Sequence, residues 1–110
     1  MKLRKGRVYF DTDLAGWLEE TDRGVSFSYD ADWLANPHAQ PVSLTLPLRA
    51  EPFTDKGVHP FFLGLLPEGW LLEISLSKLK LSKDDLFGLV LALCRDCVGA
   101  VWIEPDEGVA

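Results

Sequence analysis

Asp22-Arg23-Gly24-Val25-Ser26-Phe27-Ser28-Tyr29-Asp30 decides how the first half of this chain folds. Large apolar and aromatic residues at 25, 27 and 29 alternate with serines. A strand here therefore buries Val25, Phe27 and Tyr29 on one face and turns Ser26 and Ser28 to the other. Asp22-Arg23-Gly24 is turn material, so the segment before it, Ala15 to Glu20 with Trp17 and Leu18, is expected to return as a neighbouring antiparallel strand. Arg7-Val8-Tyr9-Phe10, set off by Asp11-Thr12-Asp13, is a further short strand. On the other side Asp30 is a good helix N-cap and Pro37 a stop, which predicts one or two helical turns carrying Trp33 and Leu34.

Pro41-Val42-Ser43-Leu44-Thr45-Leu46-Pro47-Leu48 also alternates, with a proline near each end, and predicts a short or edge strand with Val42, Leu44 and Leu46 on one face. Residues 49–59 are polar and contain Pro52 and Gly57, so they read as a surface loop. The second half is mostly helical. Phe61 to Leu66 is a helical run that breaks at Pro67-Glu68-Gly69. Trp70 to Leu81 is ambiguous, since Leu72, Ile74 and Leu76 also alternate like a strand, but Leu79 and Leu81 break that alternation, and Leu72, Leu76 and Leu79 fall within about 60° of one another on a helix at 100° per residue. Ser82, with Asp85 three residues on, resembles a capping box opening a buried helix from Leu86 to Cys94. Ala100-Val101-Trp102-Ile103 is a last strand, and Glu104 to Ala110 an acidic, frayed tail. The fold class is therefore α+β: a small antiparallel sheet of N-terminal strands plus the C-terminal strand, packed with two or three helices from the second half.

The 110 residues are 47% hydrophobic and 25% charged, which is the composition of one globular domain spanning 1–110. No apolar run is long enough to cross a bilayer and no secretory leader opens the chain, so a cytoplasmic location is expected. The net charge of −6 repels phosphate backbones and argues against sequence-specific DNA binding. Lys2, Arg4, Lys5 and Arg7 nevertheless gather four of the eleven basic residues in the first seven, and residues 1–6 read as a basic arm that is solvated or touches DNA or an acidic partner.

A search for chemistry finds no phosphate loop, no metalloprotease motif and no nucleophile elbow, and only two histidines, His38 and His59. Glu68 and Glu73 could form a carboxylate pair, but Glu68 is better placed as a first-turn acid of the following helix. Cys94 and Cys97 form a C-x-x-C pair without two further ligands at zinc-finger spacing. They lie at the end of a helical run, where the dipole raises a thiol pKa, so they read as small packed residues. No metal and no cofactor is expected, and no enzyme.

What remains is binding. Trp70 stands just beyond the corner, and tryptophan is a frequent anchor of interfaces. On a helix it would point about 160° from the leucine stripe with Ile74 beside it, which favours a partner contact over a return to the core. The candidate binding residues are Leu66, Pro67, Glu68, Gly69, Trp70 and Ile74.

The order of Trp33-Leu34, Pro41 to Pro47, Phe61-Phe62-x-x-Leu-Leu-Pro67-Glu-Gly69, and Phe87-Gly-Leu followed by Arg95-Asp96-Cys97-Val98-Gly99-Ala100-Val101 resembles the N-terminal subdomain of HipA-type serine/threonine kinase toxins. The likeness runs from about Arg7 to Pro105. Gly64 stands where that family often has Asn, and Cys94 where it often has Gly. Such kinases continue into a catalytic domain that this sequence does not contain, and a separate version of the subdomain is similar to HipS, the small antitoxin of HipBST systems. The resemblance implies a HipT-like kinase as partner, inhibited by this chain, and a HipB-like DNA-binding protein in a ternary complex. It leaves as an alternative a scaffold that completes the complex without blocking the kinase.

Overall fold

The computed structural model describes residues 3–69, 84–95 and 99–106. Five strands form one antiparallel sheet: β1 Lys5–Phe10, β2 Asp13–Thr21, β3 Gly24–Tyr29, β4 Phe53–Asp55 and β5 Val101–Pro105. Their order across the sheet is β4-β3-β2-β1-β5. Among the described residues three helices accompany them, α1 Ala31–Ala35, α2 Pro60–Leu63 and α3 Leu86–Leu93. The expected α+β class is what is observed.

The period-two pattern of β3 works as read. Val25, Phe27 and Tyr29 are buried, and opposite them in the register Leu18 of β2 faces Phe27. The β1–β2 turn places Asp11 in the left-handed region, φ 54°, which Asp tolerates better than most residues. Val8 of β1 and Ile103 of β5, paired across the strands, complete the buried face, on which α2 lays Phe62 and α3 lays Phe87 and Val90. Phe27 sits at the centre, 5.2 Å from the Phe62 ring and 4.9 Å from the Tyr29 ring between centroids. Burying a phenylalanine in this way stabilises by about 2–3 kcal/mol each. The opposite sheet face is half-buried and amphipathic. Tyr9 and Trp102 stack across β1 and β5 at 4.3 Å, and the Lys5 ammonium lies 4.2 Å over the Trp17 ring.

Asp30 caps α1 as expected, its carboxylate accepting from the Asp32 N–H. Elsewhere the structure corrects the sequence reading in four places. Residues 41–48 do not form an edge strand. Val42 and Leu46 are buried, but Leu44 between them is 96% exposed, because Ser43 to Leu46 closes into a tight turn with the Leu46 N–H donating to the Ser43 carbonyl at 3.0 Å. The cause is Tyr29, whose hydroxyl accepts from the Val42 N–H at 3.0 Å and donates to the Leu46 carbonyl, taking the groups a neighbouring strand would need. Ser43 tightens the turn further, its Oγ accepting from the Thr45 N–H at 3.2 Å and lying 2.9 Å from the Thr45 hydroxyl.

The second correction is that residues 49–59 are not all loop, since β4 pairs Phe53 with Phe27 and Asp55 with Val25. Three residues are too few to show a period. The strand is held by Arg49, which donates to the carbonyls of Glu51 and Pro52 and stacks 3.7 Å over the Phe53 ring.

Third, α3 is capped by Asp85 rather than by Ser82, which lies outside the described residues. Asp85 accepts from the Gly88 N–H at 3.2 Å, so the helix begins three residues later than a capping box at Ser82 requires. Phe87 to Leu91 are buried as expected, while Leu86 and Ala92 are exposed.

The fourth concerns the chain ends. Glu104 and Pro105 belong to β5, and the Asp106 N–H donates to the Lys5 carbonyl at 2.9 Å, so the acidic tail does not start at Glu104. Lys5 and Gly6 belong to β1. Arg4 donates from its guanidinium to both Glu20 and Asp85 at 2.7–2.9 Å, bridging β2 to the cap of α3. The side-chain hydrogen bonds from Arg4, and to a smaller degree its charge, hold the Glu20 and Asp85 carboxyls below the usual carboxylate range.

Candidate functional site

The corner begins with α2. His59 caps it, its Nδ1 accepting from the Phe61 N–H at 3.0 Å, and Pro60 occupies the first helical position, where a missing N–H costs nothing. Phe62 is fully buried and pins the helix to β3, while Phe61 turns edge-on to it at 5.2 Å. Beyond Leu63 the chain tightens rather than extending the helix. The Leu65 N–H donates to the Phe62 carbonyl at 3.1 Å and the Leu66 N–H to the Leu63 carbonyl at 3.2 Å, the i to i+3 pattern of a closing turn.

Leu63, Leu65 and Leu66 lean on the core from this turn and are partly buried. Pro67 then ends the donor ladder, and Glu68 and Gly69 stand in solvent. Gly69 has φ +73°, and a Cβ built on it meets nothing within 4 Å. The glycine is thus required by its backbone angle and not by crowding. Three leucines fix the base of the corner to the core while its tip is open.

Of the residues singled out from the sequence, Leu66, Pro67, Glu68 and Gly69 are brought together here. Trp70 and Ile74 lie outside the described residues, as do Glu73, the helix read over residues 70–81, and Cys97. Cys94 is fully buried and caps the end of α3, its N–H donating to the Val90 carbonyl at 3.1 Å and its own carbonyl accepting from Ile103 N–H at 2.9 Å. It ties α3 to the outer edge of β5, as a packed helix-end residue. Among the described residues no group of three or more His, Cys, Asp or Glu is placed to hold a metal ion, and no helix is long and apolar enough to cross a membrane. The space beneath β4, lined by Leu18, Phe27, Phe53 and His59, amounts to about 20 Å³, too small for a small-molecule substrate.

Sequence reasoning missed one surface feature, the exposed Leu44 turn. The signal was present in the two flanking prolines, which deprive a strand of ladder donors. It was outweighed by the alternation of Val42, Leu44 and Leu46.

Comparison with known proteins adds a context. The family model described as the HipA N-terminal domain matches residues 6–104. An uncharacterized protein of Haemophilus influenzae is 31% identical over 105 residues, covering 96% of this chain and 95% of that protein. A protein of Sinorhizobium fredii named "Putative kinase Y4mE" is 33% identical over 108 residues, covering 97% of this chain but 26% of its own length. Among solved structures, one titled N-terminal domain of HipA toxin superposes with a TM-score of 0.68 at 31% identity, covering 94% of this chain and 93% of that one.

Proposed function

The chain belongs to the HipA N-terminal domain family, and we propose that it is a HipS-like antitoxin that binds a HipT-like serine/threonine kinase and holds it inactive. It docks where the N-terminal domain of a HipA kinase sits, and it presents the corner Pro67-Glu68-Gly69-Trp70 to the kinase, with Leu66 and Ile74 beside the anchor. The role is one of binding, not catalysis. A HipB-like DNA-binding protein completes a ternary complex, and this chain, with its net charge of −6, does not itself read DNA.

One observation carries this reading. The same module matches nearly the whole of the Haemophilus influenzae relative yet only about a quarter of the kinase-named Sinorhizobium fredii protein. A domain found both alone and joined to a longer chain is suited to act on that longer chain from outside. The corner supports the choice of contact, because a tip fixed at its base by buried leucines loses little freedom on docking. A tryptophan anchored there is worth about 2 kcal/mol or more on truncation to alanine.

The test is co-expression with a HipT-like kinase, scoring growth, co-purification and kinase activity for the wild type and for Trp70→Ala. Rescue and inhibition by the wild type, both lost in the variant, are expected. Binding without inhibition would assign the scaffold role instead, and no binding would remove the kinase as partner.

A further inference from the structure

We propose a second contact on this chain, distinct from the corner: the turn at Ser43 to Leu46 is a rigid apolar peg, with Leu44 at its tip, that seats in an uncharged pocket on the body of the kinase.

Leu44 is 96% exposed, the most exposed large apolar side chain among the described residues. Turn chemistry does not ask for leucine at this position; proline or a small polar residue serves the geometry better. Nor is the exposure a product of looseness. The Tyr29 hydroxyl holds both ends of the turn, Val42 and Leu46 are buried on either side, and Ser43 bonds Thr45 across the tip. The side chain is therefore held out in water by a framework that costs little further entropy on binding.

The surroundings specify the partner. Residues 33–48 contain no Asp, Glu, Lys or Arg, the longest such run in a chain that is 25% charged. Pro41, Pro47 and Leu48 are exposed next to the tip. Depletion of charge around an apolar centre is the composition of an interface core between proteins. It offers nothing to a phosphate backbone. The occupant is the kinase body, because the Sinorhizobium fredii relative carries this module on a chain of which about three quarters lies outside the match and must accommodate it. The proposal thus rests on the function proposed above.

The experiment measures affinity for the HipT-like kinase and thermal unfolding for the wild type, Leu44→Asp, Leu44→Ala and Trp70→Ala. Leu44→Asp is expected to unfold at the wild-type temperature, since the side chain makes no core contact. Its affinity should fall about thirtyfold, and that of Leu44→Ala about tenfold, with losses that do not change with salt. Wild-type affinity in both Leu44 variants, with a loss in Trp70→Ala, would overturn the peg and leave the functional reading standing. A wild type that fails to bind the kinase would overturn both. A wild type that self-associates through Leu44, becoming monomeric in Leu44→Asp with kinase binding unchanged, would assign the peg to a second copy and refute the proposal.

Discussion

Removing one oxygen atom from Tyr29 should have a larger effect on this fold than removing most exposed side chains. In Tyr29→Phe the ring stays against Phe27 and Phe53, but the Val42 N–H loses its acceptor and the Leu46 carbonyl its donor. Both groups are buried, since Leu46 is fully inaccessible and Val42 nearly so. An orphaned buried polar group costs about 1–3 kcal/mol, so two of them, partly relieved by relaxation of the turn, should cost about 2–4 kcal/mol. Unfolding entropy of about 2.1 cal/mol/K per residue over 110 residues gives about 0.23 kcal/mol/K, so the melting temperature should fall by about 9–17 °C. Calorimetry of the two proteins at pH 7 measures this directly. Hydrogen exchange adds a local readout, because the Val42 and Leu46 amides should lose protection. A shift under about 2 °C would refute the reasoning, showing that the turn holds itself without the phenol. The phenol is itself pushed above its ordinary pKa by burial.

Gly16→Ala should destabilise by about 2–3 kcal/mol in urea unfolding, since the added Cβ would lie 2.5 Å from the Ser28 carbonyl oxygen and 2.8 Å from the Phe27 ring. Gly69→Ala should cost only about 1 kcal/mol in the same assay, because it meets an unfavourable φ but no neighbour, and a loss above about 3 kcal/mol would mean that packing at the corner has been misread. Arg4→Gln should lower stability by about 1 kcal/mol at low salt and less at high salt, the pairs being partly exposed. The same variant should flatten the acid limb of a stability–pH curve. Glu20 and Asp85 have lowered folded pKa values, so their stabilisation is complete above the unfolded values of about 4 and is lost as the pH falls through the folded ones. An acid limb identical to the wild type would remove Arg4 as its cause.

The parts of the fold legible in the sequence are those that depend on neighbours a few residues away. Val25, Phe27 and Tyr29 declare a strand by their spacing alone, and Asp30 and Pro37 bracket a helix by local chemistry. What stayed hidden depends on distant partners. The alternation of residues 42, 44 and 46 is a valid strand pattern until Tyr29, from another element, claims the backbone groups at both ends of it. Arg4 looks like part of a loose basic arm because its two carboxylates stand 16 and 81 residues away. Asp85 was placed inside a helix because nothing local says that it must also meet Arg4. The corner was legible as a break because Pro67 and Gly69 act on their own backbone.

The pairing of β1 with β5 ties residue 5 to residue 106. During synthesis, β1 can bond β2 as soon as the first hairpin emerges, yet its other edge stays open until Val101–Pro105 have left the ribosome. The Tyr9 ring waits for Trp102, and the buried Val8 waits for Ile103. Such long-range closure slows folding and leaves a nascent strand edge available to other chains. Any contact that covers this edge of β1 before β5 arrives would shorten the exposure.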